Sequence, residues 1–96
     1  MAYDPGAIDA TLAAAIGDEP TLIAELRCAF VDSAERVIVV LEKATDDAGW
    51  ALAAARLKGL AASFGAIRLM ALASEAAETP RDADAVRKLR RAVARL

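Results

Sequence analysis

Ninety-six residues suffice for one domain and not for two, because half that length buries too little surface to hold a core without metals or disulfides. Hydrophobic residues make up 57% of the chain but aromatics only 4%, so the core is expected to consist of alanine, leucine, isoleucine and valine, a composition that favours helix. A net charge of −2 names no partner, no apolar stretch approaches the ~18 residues of a membrane span, and the N-terminus lacks a basic-then-apolar signal, so a soluble, cytoplasmic protein is expected.

Ile8, Leu12 and Ile16 mark a short first helix, closed by Gly17 as a left-handed cap. Asp18 ahead of Glu19-Pro20-Thr21 sets a capping carboxylate and a proline at the start of a second helix, where free amides need an acceptor and proline costs little. Ile23, Leu26, Phe30, Val37 and Leu41 then fall on one face, with Arg27, Asp32, Glu35, Arg36 and Glu42 elsewhere, which predicts an amphipathic helix of about six turns to roughly Ala44. The β-branched run Val37 to Leu41 lies within this repeat and has no turn chemistry beside it, so no strand is predicted. Thr45-Asp46-Asp47 offers capping oxygens for a third helix and Gly65 ends it. Ala66 to about Glu78 forms a fourth, stopped by Thr79-Pro80, and Asp82 caps a final short helix from Ala83 to near Leu96. Short connections make successive helices antiparallel neighbours. The predicted fold is therefore all-α: one domain over residues 1–96, an up-and-down antiparallel four-helix bundle with an additional short terminal helix.

Charge is unevenly spread. Residues 1–80 carry six basic and twelve acidic side chains, whereas residues 81–96 carry Arg81, Arg87, Lys88, Arg90, Arg91 and Arg95 against Asp82 and Asp84. A basic tail suits nucleic acid, but this one has no aromatic for base stacking, and Val86, Leu89 and Val93 recur at helical spacing. The reading adopted is a terminal helix packed by its apolar edge, with a solvated basic face and no nucleic-acid partner. The lone Cys28 has no internal disulfide partner and fits no metal spacing, in keeping with a reducing compartment.

The third helix has two unlike sides. At about 100° per residue, Trp50, Ala53, Leu57, Leu60, Ala61 and Phe64 gather on one side, the expected core face. Opposite lie Ala48, Ala51, Leu52, Ala55, Gly59, Ala62 and Ala66, small or apolar where a solvent-facing helix normally shows charge, with only Arg56 and Lys58 beside them. Small side chains let another backbone approach closely, so this strip is read as a contact surface for another protein. Glycine inside a helix costs on the order of 1 kcal/mol relative to alanine, and Gly59 needs something to offset that loss. Two other readings of the strip are a helix buried on both sides and a helix packed against a second copy of itself.

The run Ala54-Ala55-Arg56-Leu57-Lys58-Gly59-Leu60-Ala61-Ala62-Ser63-Phe64-Gly65-Ala66-Ile67-Arg68-Leu69 resembles the histidine-containing phosphotransfer (HPt) family. That family's core pattern is roughly Ala-His-x-Leu-Lys-Gly, small residues, Gly-Ala, and a leucine three positions later. The likeness extends over residues 8–79: Asp18, Leu22 and Phe30 match the family's helix opening, and Leu69, Leu72 and Glu75 the helix after the active one. Leu60 departs from the usual serine or alanine. Ala55 departs at the position of the phosphoaccepting histidine, and the chain contains no histidine at all.

The resemblance implies a module of a two-component phosphorelay whose partner is a response-regulator receiver domain, a histidine kinase, or both. It implies a docking surface of Leu52, Ala55, Arg56, Lys58, Gly59 and Ala62. In the family the equivalent glycine leaves room for the receiver and the lysine favours the phosphoryl charge. Phosphotransfer needs an imidazole nitrogen that accepts and releases the phosphoryl group, and a methyl group does neither. The expected role is regulatory binding by a monomer, without catalysis, cofactor, metal or membrane contact. One alternative is an ordinary phosphotransfer protein in which the histidine was substituted at position 55, which the codon of the natural gene decides; another is a structural helical dimerisation domain.

Overall fold

The computed structural model describes residues 5–17 and 19–96, with side chains from Ile8 onward. Five helices follow one another: α1 (Pro5–Ile16), α2 (Pro20–Glu42), α3 (Asp47–Ser63), α4 (Ile67–Ala77) and α5 (Ala83–Ala94). No strand occurs among the described residues. The all-helical expectation holds, and the helix ends fall within a few residues of those expected.

The stops are the ones local chemistry calls for. Gly17, at φ +87°, donates its N–H to the Ala13 carbonyl at 2.8 Å and ends α1 in the left-handed region that glycine adopts without strain. α2 opens at Pro20, with Glu19 at the cap position making no side-chain capping bond; the capping role expected of Asp18 lies outside the described residues. Asp46 caps α3 by accepting the Gly49 N–H at 2.8 Å. At the other end of α3, Gly65 at φ +70° lets its own N–H reach the Ala62 carbonyl and the Ala66 N–H reach the Ala61 carbonyl. This paired closure satisfies carbonyls the helix leaves free. Asp82 caps α5 by accepting the Asp84 N–H at 3.0 Å.

Each helix from α2 to α5 packs on the next, α5 returns to α2, and α1 lies mainly on α2. α2 sets the length: 23 residues at about 1.5 Å each span roughly 35 Å of the molecule's 42 Å long axis. The core is aliphatic with two aromatic anchors. Phe30 of α2 stacks on Phe64, just past α3, with ring centroids 4.7 Å apart. Trp50, 1% exposed, donates its indole N–H to the Ala76 carbonyl of α4 at 2.6 Å, which meets the need of a buried indole for an acceptor.

The end of the molecule bearing the α2–α3 and α4–α5 connections is tied by arginines. Arg81, at φ +59°, donates to the Thr45 carbonyl at 3.0 Å and lies 3.4 Å from Asp47, while Arg90 bonds Glu42. α5 buries Val86, Leu89 and Val93 and turns its cations outward, as its sequence pattern requires. Arg87 and Lys88 both pair with Asp84, whose carboxyl is held below its ordinary range first by the Arg87 hydrogen bond and then by the Lys88 charge.

Candidate functional site

α3 is buried along one side only. Trp50, Ala53, Ala54, Leu57 and Ala61 are buried, and Leu60 and Phe64 pack against the core at its edge. Ala54 belongs to this face as well, although the sequence reading of the core side did not include it. At about 100° per residue it lies just beyond Ala61 on the side away from Trp50, at the rim of the buried arc. The reading of a helix buried all round is thereby corrected.

Every residue of the expected docking surface is exposed on the outer side of α3: Leu52, Ala55, Arg56, Lys58, Gly59 and Ala62. Leu52, Ala55, Gly59 and Ala62 recur at intervals of three, four and three, so they line up along the helix. Leu52 is 66% exposed, the most open of the large apolar side chains among the described residues. Ala48 and Ala51 extend the line toward the N-terminal end. Ala66 does not extend it the other way: it is only 4% exposed, because the left-handed turn at Gly65 takes the chain off the path of α3 and tucks the Ala66 methyl into the core. The strip runs from Ala48 to Ala62.

Gly59 is the unusual member. A Cβ built on it meets nothing within 4 Å, and its backbone is ordinary helix. Gly49, two turns and more earlier in the same helix, behaves differently: a Cβ there would sit 3.0 Å from the Asp46 carboxylate oxygen that caps the helix. The first turn of α3 therefore has a local reason for its glycine, whereas the exposed middle has none within the chain. Ser63 adds no chemistry to the strip, since its hydroxyl donates back to the Gly59 carbonyl at 3.0 Å.

Arg56 and Lys58 project on opposite flanks of the strip. Neither has an ion-pair partner among the described residues, in contrast to Arg81, Arg87, Lys88 and Arg90. Between Ala48 and Ser63 they are the only charged residues, so this face carries two positive charges and no acid on a chain that is negative overall. Among the described residues no group of three or more histidine, cysteine, aspartate or glutamate side chains gathers as metal ligands do, and no helix is long and apolar enough to cross a membrane.

No family model, curated protein or solved structure matches this chain. One exposed side chain that periodicity did not single out is Ile67, 63% exposed at the start of α4. Its position was open to inspection, because it lies opposite Leu69, Leu72, Ala73 and Ala76 on the α4 circumference.

Proposed function

We propose that this protein is an HPt-like docking module of a two-component phosphorelay that engages a receiver domain or a histidine kinase in the cytoplasm and does not itself carry phosphate. In this reading α2 to α5 form an up-and-down antiparallel four-helix bundle and the outer face of α3 is the docking surface; the additional short helix, expected at the C-terminal end, is instead α1, because α5 packs on both α4 and α2 whereas α1 lies mainly on α2. The observation that carries the proposal is Gly59. It costs on the order of 1 kcal/mol in a helix interior, its missing side chain makes room for nothing in this chain, and it lies one turn from Ala55, the position that matches the family's phosphoacceptor.

The charge on the face supports the same partner class. Two unpaired cations suit an acidic surface such as the phosphoacceptor pocket of a receiver, and the small side chains between them let that surface come close. Packing two copies face to face would instead bring cations together with no carboxylate on the strip to meet them, which favours a monomer over the dimerisation reading. With a methyl at position 55, binding regulates by occupancy, in competition with a histidine-bearing module for the same surface.

The test measures binding of the purified protein to receiver and kinase domains from the same cell, with Gly59→Arg and Lys58→Glu as variants, while Ala55→His is assayed for labelling by a phosphorylated receiver. The expected result is a saturable complex, weakened at least tenfold by either docking variant, with label transferred only to Ala55→His. Absence of any complex across the receivers and kinases, or a complex indifferent to both docking variants, overturns the proposal.

A further inference from the structure

No further inference is drawn: the strongest candidate, the groove between the end of α2, the start of α3 and the first turns of α5 where Arg81, Arg87 and Arg90 converge, carries nothing, because each of these arginines already pairs with a carboxylate of the same chain, Asp47, Asp84 or Glu42, and nothing in the structure shows what would occupy the groove.

Discussion

The two faces of α3 are both built largely from alanine and leucine, and they differ in what those side chains touch. The inner face sets Ala53, Ala54 and Ala61 around Trp50 and Leu57, all of them buried, and the small methyls there let α2 and α4 close on the helix. The outer face sets Ala51, Ala55, Gly59 and Ala62 around Leu52, and none of these is buried. Smallness on the inner side is a packing solution. On the outer side the alanines are explained by helix propensity alone, and only Gly59 costs stability without serving the packing, which is the feature the proposed docking role rests on.

The largest difference between the faces is expected from truncating their leucines. Leu57 is 0% exposed, and Leu57→Ala should destabilise the protein by about 2–5 kcal/mol in denaturant unfolding, from lost burial plus the cavity left behind. Leu52→Ala removes a side chain that is already in water and should change stability by no more than about 0.5 kcal/mol. Comparable losses at the two positions would mean that the outer face is not free, and the comparison would fail.

A pair of neighbours gives the next largest effect. Ala61 is buried and Ala62 exposed. Ala61→Leu forces extra methylenes into a filled core and is expected to cost about 1–3 kcal/mol. Ala62→Leu has only solvent to enter, so its unfolding midpoint should stay near that of the parent, and under the proposed docking role its binding to a receiver domain should fall. Equal destabilisation by the two substitutions would show that α3 is rotated so that Ala62 also faces the core.

How far these features could be read in advance depended on whether they were local. Helix ends were legible because caps and left-handed glycines act within a few residues: Gly17, Asp46, Gly65 and Asp82 each do what their type and position suggest. The two sides of α3 were legible from periodicity. Ala66 was not, because a helical period stops applying once Gly65 turns the chain. The ties among Arg81, Thr45, Asp47, Arg90 and Glu42 were equally out of reach, since they join residues more than 30 apart that only the packing of α5 on α2 brings together. The absence of any histidine from the chain was legible outright, whereas the open space around the Gly59 Cα depends on how the other helices pack about α3.

The smallest expected effect separates the two helical glycines of α3 and bears most directly on function. Gly59→Ala introduces a methyl that meets nothing, at a helical backbone position, so it should stabilise the protein by about 0.5–1 kcal/mol and raise Tm by roughly 2–8 °C. Gly49→Ala should give no such gain, because its methyl would crowd the Asp46 carboxylate that caps the helix, and a cap is worth about 0.5–2 kcal/mol. Paired thermal unfolding of the two variants measures this directly. If Gly59→Ala destabilises the protein, the glycine serves the fold after all and the case for an external partner loses its main support. If it stabilises the protein and also weakens binding to the receiver, the same methyl improves the helix and impairs the contact, an opposition that arises only where the missing side chain was making room for another molecule.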